Sequence, residues 1–215
     1  GGVVIHTLDE LVNTKLRICG EVALPIHHHL LSCESGLDQI KHVYSPAQSF
    51  AQCRKWLDAK LPRAERETVS SNAQAARIAK EKGGAAIASQ QAGKLYGLNI
   101  LASNIEDDSN NTTRFLIIGK QDPTPTDGDI TSVVLSAHRN APGALFKLLQ
   151  PFANANLDLN RIESRPMKGA AVQDYFFFID FSGHAQQEKV KKVLDEVRAN
   201  AAFFKILGSY PRAVM

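Results

Sequence analysis

The chain has 215 residues, of which 44% are hydrophobic and 22% are charged, and its formal net charge is +3. This composition is typical of a globular protein, and the length allows one large domain or two small ones. The Lys and Arg residues form no long run, which argues against a basic arm that binds nucleic acid. No apolar stretch reaches the ~18 residues that cross a bilayer. We therefore expect neither nucleic acid nor a membrane as a partner.

The three cysteines are Cys19, Cys33 and Cys53, which are widely spaced and odd in number. Such a set suits reduced thiols better than a disulfide framework. The chain opens on "GGVVIHTLDEL" without a cationic and then apolar leader. We therefore expect a cytoplasmic protein.

Strand and helix patterns alternate over residues 1–119. Val3 to Ile5 is a strand candidate, and Thr7 is the predicted N-cap of a helix that ends at Asn13. Later helices are predicted to begin after Ser45, in "SPAQSFAQCRKWLDAKLP", and after Ser70 or Ser71. Further strands are predicted in 15–26, 67–71, 85–89, 98–102 and 113–119, and a short helix in 90–97. This alternation predicts α/β architecture with a largely parallel sheet.

Residues 120–129, "KQDPTPTDGD", interrupt the alternation with two prolines, one glycine and three aspartates. We interpret this segment as a linker between domains.

Residues 130–215 follow a different order. Strands are predicted in 130–137, 157–166, 172–181 and 203–211, and helices in 140–155 and 185–200. The resulting βαββαβ order predicts a small α+β domain of ferredoxin-like topology.

The sequence His27-His28-His29 is the most visible candidate for a metal site. On a strand only His27 and His29 would share a face, and no further Cys, Asp or Glu stands at ligand spacing beside them. We expect no metal site, and polar residues at a strand end are the preferred interpretation.

Thr112, Thr113 and Arg114 stand where a loop enters the strand "RFLIIG". A threonine hydroxyl can donate a hydrogen bond, and a guanidinium can hold a carboxylate through two hydrogen bonds. Ligand groups often lie where strands meet loops in α/β proteins. The alternative is a strand start that is capped by its own side chains.

Two segments of the second domain could together bind a carboxylate and its neighbours. "PGALF", residues 142–146, opens a helix whose free N–H groups and small side chains suit an anion. "ESRP", residues 163–166, ends the next strand. Each segment alone could equally be a helix cap or a strand end.

Four motifs, in order along the chain, resemble those of one family. "NTTRFLIIG" is similar to the Asn-x-Thr-Arg-Phe segment of prephenate dehydratases, and "SPAQSFAQC" is similar to their Ser-x-Pro-Gln-Ala-Leu-x-Gln-Cys segment. The second match departs from the family at 47–50. "HRNAPGALFKLL" and "RIESRP" resemble the phenylalanine-binding motifs of the attached ACT domain.

The resemblance implies a carbon–oxygen lyase of L-phenylalanine biosynthesis. Such an enzyme converts prephenate to phenylpyruvate, releases water and carbon dioxide, and uses no metal and no organic cofactor. By the resemblance, Thr113 is catalytic, and Arg114 either binds substrate or braces its strand. The implied substrate-binding residues are Asn111, Arg114, Phe115 and Ser71. The implied binding site for L-phenylalanine, the effector, comprises Gly143, Ala144, Leu145, Glu163, Ser164, Arg165 and Pro166.

The resemblance also implies a domain plan. Residues 1–119 would be part of a two-lobed catalytic domain like the periplasmic binding proteins, with the second lobe at about 16–102 and most of the first lobe missing. Residues 120–129 would be the linker and 130–215 the ACT regulatory domain, which assembles as a homodimer or homotetramer. We expect this chain alone to be inactive on prephenate. The alternative is a non-catalytic regulatory fragment that binds an amino acid.

Overall fold

The structure is a computed structural model, and it describes residues 5–138, 141–167 and 174–213. The contacts divide the chain into two compact units. Unit 1 comprises Gly1–Ala23 and Arg114–Met215, and unit 2 comprises Leu24–Thr113. No helix in the described ranges is long and apolar enough to cross a membrane.

The first described element is helix α1, Ile5–Asn13. Thr7 lies inside this helix, so its predicted role as N-cap is wrong. Ile5, the predicted end of a strand, is helical, and the rest of that predicted strand lies outside the described residues.

Unit 2 is built around a five-stranded sheet whose strands follow the order β4-β3-β5-β2-β6. These strands are β2 (His29–Ser32), β3 (His42–Ser45), β4 (Glu65–Thr68), β5 (Ala85–Ala88) and β6 (Asn99–Ala102). Its helices are α2 (Ala47–Gln52), α3 (Arg54–Lys60), α4 (Asn72–Lys82) and α5 (Gln90–Tyr96), with a 3-10 turn at Leu37–Gln39.

The sheet of unit 2 is mixed, which corrects the prediction of a largely parallel sheet. Strand β3 runs parallel to β4 and β5, whereas β2 pairs antiparallel with both β5 and β6. The α/β alternation predicts the parallel pairs only. Strands β2 and β3 have four residues each, and neither was predicted as a strand.

The N-cap of the helix predicted to begin after Ser45 also differs from the structure, since Ser45 was the predicted cap. Ser45 is the last residue of β3, the N-cap position belongs to Pro46, and the helix begins at Ala47. The chain leaves helical geometry at Cys53, with φ −114° and ψ 15°, and this break separates α2 from α3.

Unit 1 confirms the predicted βαββαβ order. Its elements are β8 (Asp129–Ser136), α6 (Ala144–Asn154), β9 (Leu159–Pro166), β10 (Tyr175–Ser182), α7 (Glu188–Asn200) and β11 (Phe203–Pro211). The four strands form an antiparallel sheet in the order β11-β8-β10-β9. This is the ferredoxin-like arrangement.

Both faces of this four-stranded sheet are covered within unit 1. One face packs against α6 and α7 around Val133, Phe152 and Phe181. The other packs against α1 and against β1 (Arg17–Pro25) and β7 (Thr112–Gly119), which form a two-stranded sheet. The second core includes Ile18, Phe178 and Tyr210. Strand β7 therefore continues, from Arg114 onward, along the ferredoxin-like domain.

Candidate functional site

Three parallel strands of unit 2 end at one edge of its sheet. Strands β3, β4 and β5 end at Ser45, Thr68 and Ala88, and each is followed by the start of a helix, α2, α4 or α5. Ligands of open α/β sheets bind at such an edge, where carboxyl ends of strands meet amino ends of helices. This edge is the candidate ligand site of unit 2.

Ser71 lies at this edge as the N-cap of α4. Its hydroxyl oxygen accepts a hydrogen bond from the amide of Gln74 at 3.1 Å. This confirms the second of the two predicted caps, Ser70 or Ser71. The start of α4 also favours negative charge, because its first amides point outward.

Ser45 lies fully buried at the same edge. Its hydroxyl has no hydrogen-bond partner among the described residues. An unpaired buried hydroxyl costs free energy, and such groups call for an explanation in function or bound water.

Asn111 is connected to this edge by a chain of side chains. Its amide oxygen accepts from Gln52 Nε2 at 3.4 Å, and Gln52 Oε1 lies 2.9 Å from Nε2 of the buried His28. Asn111 also donates to the carbonyl of Ile26, whose amide bonds to the Asn111 carbonyl. The loop that enters β7 is thereby fixed beside the start of β2.

The three consecutive histidines have three separate sets of partners. His27 Nδ1 lies 2.7 Å from Glu106 Oε1, His28 contacts Gln52, and His29 Nδ1 accepts from the amide of Asn104. Burial alone would raise the pKa of Glu106, but hydrogen bonds from His27 and from the His28 amide hold that pKa below its usual value. In the described part of the chain, no three potential metal ligands come together.

The predicted catalytic strand begins with exposed groups. Thr112 and Thr113 are both exposed, and Phe115 is 50% exposed. Because side chains alternate along a strand, Thr113 and Phe115 share one face and Thr112 and Arg114 share the other. Leu116, next on the second face, packs into the core of unit 1. Phe115 and Ile117, which are both exposed, thus lie on the face of β7 opposite to that core.

Arg114 is surrounded by groups of unit 1. Its Nη1 donates to Asp180 Oδ2 at 2.8 Å, and its Nη2 donates to the Tyr210 hydroxyl at 2.8 Å. Its Nε lies 2.5 Å from Glu21 Oε2, although the pair lacks the alignment of a hydrogen bond. Burial lowers the pKa of Arg114, but Tyr210, Asp180 and Glu21 together raise it above the usual value. These contacts favour the bracing role over the substrate-binding role.

A cavity of about 210 Å³ lies at the start of α6 in unit 1. Among the predicted effector-binding residues, Ala144 and Leu145 line it. Its other walls come from the end of β8, the start of β10 and nearby loops, namely Ser136, Ala137, His138, Met167, Asp174, Tyr175, Phe177 and Ala202. The cavity thus combines apolar walls with an imidazole and a carboxylate.

Gly143 precedes this helix as its N-cap in a left-handed conformation, with φ +78°. A side chain at this position would meet open space. The Ala144 amide already donates to the Ala141 carbonyl at 3.0 Å. The amides that a helix start leaves for a ligand are therefore those that follow, at Leu145 and Phe146.

The "ESRP" segment does not line this cavity within one chain. Ser164 and Pro166 pair with Phe177 and Tyr175, and so lie on the cavity's face of the sheet. Glu163 and Arg165 lie on the opposite face. There Glu163 pairs with Arg161, and Arg165 Nε lies 3.4 Å from Asp9 Oδ1.

Four residues that hold these sites together were not predicted as site residues. Gln52 stands at the end of the quoted "SPAQSFAQC", and His28 is the central residue of the histidine run. Both residues lie in segments that the sequence singles out, but the contact between them joins two elements that are distant in the sequence. Asp180 and Tyr210 lie on apolar strands, and a polar residue within an apolar strand is the only signal that could have marked them.

These features define a class of protein: an α/β unit with a polar strand-end site, joined to a ferredoxin-like domain with a cavity at a helix start. A family model for prephenate dehydratase matches residues 1–123, and a model for the ACT domain matches residues 131–199. The chain belongs to the prephenate dehydratase family and carries an ACT domain.

Individual proteins of known name agree with this assignment. The chain is 52% identical over 216 residues to a bifunctional chorismate mutase/prephenate dehydratase of Stutzerimonas stutzeri. All of this chain is covered, but it spans only 59% of that relative's length.

Two solved structures resemble the chain closely. Prephenate dehydratase from Arthrobacter aurescens in complex with L-Phe superposes with a TM-score of 0.88 at 36% identity, covering 99% of this chain and 72% of the other. A protein described as a quorum-quenching acylase superposes with a TM-score of 0.84 at 32% identity, covering 99% and 78%.

Proposed function

We propose that the full-length protein is a prephenate dehydratase of L-phenylalanine biosynthesis that L-phenylalanine inhibits through the ACT domain. The observation that carries this proposal is the position of Thr113. Its exposed hydroxyl lies at the start of β7, next to a loop whose Asn111 is fixed to the ligand edge of unit 2. Family membership supplies the reaction, and we propose that it takes place in the cytoplasm.

The proposed reaction is a decarboxylating dehydration. The bond between the ring and its carboxylate breaks, its electron pair moves into the ring, and the ring hydroxyl leaves from the opposite carbon. The departing oxygen takes up a proton, so that phenylpyruvate, carbon dioxide and water account for all atoms of prephenate and that proton. Gain of aromaticity drives the reaction.

We propose that Thr113 interacts with the hydroxyl that leaves the substrate ring. A threonine hydroxyl does not titrate near neutral pH, so its contribution is a hydrogen bond to the oxygen on which negative charge develops. A preorganised donor of this kind stabilises the transition state more than the ground state. The reaction needs no metal and no organic cofactor in this scheme.

The substrate carries two carboxylates, and the chain offers groups suited to them. Ser71 at the start of α4 places a hydroxyl and a helix amino end at the ligand edge of unit 2. Asn111 offers an amide, and Phe115 an exposed ring on the face of Thr113. We assign Arg114 to bracing, since its guanidinium already contacts Glu21, Asp180 and Tyr210.

We further propose the domain plan of two catalytic lobes like those of periplasmic binding proteins. Residues 1–119 would be the catalytic portion, 120–129 the linker and 130–215 the regulatory domain. The two-stranded sheet of β1 and β7 supports this plan, because Val22, Phe115 and Ile117 are each at least 41% exposed. Apolar strands of this kind normally lie inside a larger sheet.

The cavity at the start of α6 is the proposed site for L-phenylalanine. The amides of the first turn would bind its carboxylate, Leu145 and Phe177 would cover its ring, and Asp174 is placed to accept from its ammonium group. Strand β9 is an edge strand with Ile162 45% exposed, which supports a homodimer or homotetramer through this domain. In such an assembly, residues 163–166 of a second protomer complete the site.

The test is formation of phenylpyruvate by the purified full-length protein, with and without L-phenylalanine. We expect turnover that falls as L-phenylalanine is added. A separate assay with an N-acylated amine tests for acylase activity, because one protein of similar structure is described as an acylase. Acyl hydrolysis without phenylpyruvate formation would overturn the proposal.

A second candidate function is a regulatory fragment that binds an amino acid without catalysis. The cavity of unit 1, which lies entirely within this chain, favours it for the 215 residues alone. Assayed alone, this chain should bind L-phenylalanine in a calorimeter and form no phenylpyruvate. Turnover by the chain alone would show that the proposed missing lobe is dispensable.

A further inference from the structure

The contacts of Arg114 close into a ring of hydrogen bonds with Tyr210, Ser132 and Asp180. Arg114 donates to both Tyr210 and Asp180, each at 2.8 Å. Ser132 donates to Asp180 Oδ1 at 2.5 Å, so its oxygen, 2.8 Å from the Tyr210 hydroxyl, must accept from Tyr210. Both hydroxyls in the ring therefore donate to an acceptor, and bonds arranged in this way strengthen one another.

This ring joins two different parts of unit 1. Arg114 is on β7, one residue after Thr113, whereas Ser132, Asp180 and Tyr210 are on β8, β10 and β11 of the ferredoxin-like sheet. Ser132, Asp180 and Tyr210 are all buried. The ring is surrounded by apolar side chains of this face, such as Leu116 and Phe178.

Two of these strands, β8 and β10, also reach the cavity at the start of α6. Strand β8 carries Ser132 in the ring and Ser136 at the cavity, four residues or roughly 13 Å apart. Strand β10 carries Asp180 in the ring and Phe177 at the cavity, roughly 10 Å apart. By the alternation of side chains, Ser136 lies on the same face of the sheet as Ser132, whereas Phe177 lies on the face opposite to Asp180. The ring and the cavity are therefore joined by β8 and β10 of one antiparallel sheet.

We propose that Ser132, Asp180 and Tyr210 are positioning residues that act through Arg114 on the strand carrying Thr113, and that L-phenylalanine bound at the cavity alters that strand through them. The second half rests on the proposed function. The ligand contacts β8 and β10, and a small shift of these strands moves the acceptors that hold Arg114. Because the four groups bind one another in a closed ring, a shift in one of them changes the bonds of the others.

The first arm of the test needs no ligand. Amide hydrogen exchange of residues 112–119 is compared in this chain, in Tyr210→Phe and in Ser132→Ala. Each variant removes one hydroxyl from the ring, and exchange in 112–119 should rise about fivefold, the equivalent of one lost hydrogen bond, while exchange in β9 stays unchanged. A uniform rise throughout the chain would indicate only a structural role.

Thr131→Val is the matched control. Thr131 is the neighbour of Ser132 on β8, and its buried hydroxyl donates to the Gly183 carbonyl and contacts Ser209. The Thr131→Val variant therefore removes a buried hydroxyl from the same strand as Ser132, but on the opposite face of the sheet. Exchange in 112–119 should not change in this variant.

The second arm adds saturating L-phenylalanine. Exchange in 112–119 should change at least about twofold in the unaltered chain and in Thr131→Val, which corresponds to a weak coupling between sites. Tyr210→Phe and Ser132→Ala should keep the heat of binding and lose the change in exchange. In the full-length protein, both variants should bind L-phenylalanine normally and be inhibited less.

The outcomes separate the two proposals. If the unaltered chain shows no heat with L-phenylalanine, the effector site fails and the first arm alone decides the positioning role. If binding persists and both variants still transmit the change to 112–119, the ring is not the route. Should Tyr210→Phe fail to fold by circular dichroism, Ser132→Ala decides the question.

Discussion

Gly208 of β11 lies directly against the backbone of Ile18 on β1. A Cβ at position 208 would stand 2.0 Å from the carbonyl oxygen of Ile18, and Ile18 itself is only 2% exposed. The two strands approach this closely because glycine has no side chain. The register of β11 against β8 also shifts between Ile206 and Gly208.

We therefore expect Gly208→Ala to lower the free energy of unfolding by about 3 kcal/mol, the upper end of the range for overpacking. Urea titration followed by circular dichroism measures this change. Gly128→Ala is the control, since a Cβ there meets nothing within 4 Å. Equal stability of Gly208→Ala and the unaltered chain would show that β1 does not lie against β11 in this way.

Tyr210 gives a prediction about alkaline pH. Burial, and secondly the nearby Asp180 carboxylate, raise the pKa of its hydroxyl from 10.0 to about 12. A pKa raised in the folded state adds stability that is complete below pH 10 and is lost as the pH rises from 10 to 12. The stability difference between the unaltered chain and Tyr210→Phe should therefore be largest below pH 10 and shrink above it. A difference that stays constant to pH 11.5 would contradict the buried position of this hydroxyl.

Cys33 and Cys53 should differ in reactivity. Burial raises the pKa of the Cys53 thiol to about 12, so that it stays protonated at neutral pH, whereas Cys33 is exposed. Since the thiolate is the nucleophile, a thiol reagent should label Cys33 first and Cys53 only after unfolding. Peptide mass spectrometry after timed labelling at pH 8 measures the order. Early labelling of Cys53 would contradict the packing of α2 and α3 in unit 2.

Gly143 tests the proposed effector site. Valine at this position would be forced out of the left-handed conformation, with φ +78°, that starts α6, although open space surrounds it. We expect Gly143→Val to abolish the heat of L-phenylalanine binding. Gly128→Val, at a glycine that also has open space and has no positive φ, should bind normally. Equal binding by both variants would show that the start of α6 does not bind L-phenylalanine.

Helices and strands were predictable where the hydrophobic pattern repeats over a long segment. The order of the ferredoxin-like domain follows from strands of eight or nine residues and from helix α7, whose Val190, Val193, Leu194 and Val197 share one buried face. Strands of four residues carry too few positions to show a period of two. Strands β2 and β3 were both missed, and Ser45, the last residue of β3, was interpreted as a helix cap.

The sites were predictable only in part. The sequence places Thr113 and Arg114 at a strand start, because "NTTRF" stands between turn residues and an apolar run. It could not decide what Arg114 contacts, since Asp180 lies 66 residues away and Tyr210 96 residues away. Likewise, the connection of Asn111 to His28 depends on Gln52 from another element. Contacts of this kind follow from the strand order, which no local pattern contains.

The central claim is that Thr113 assists the departure of the ring hydroxyl, and kcat of Thr113→Ala in the full-length protein tests it most directly. Phenylpyruvate formation should fall about 10²–10³-fold in kcat while KM changes little, because one preorganised donor is removed. Thr112→Ala, on the opposite face of β7, is the matched control and should retain most of its activity. A near-normal kcat in Thr113→Ala, or an equal loss in both variants, would contradict the assignment.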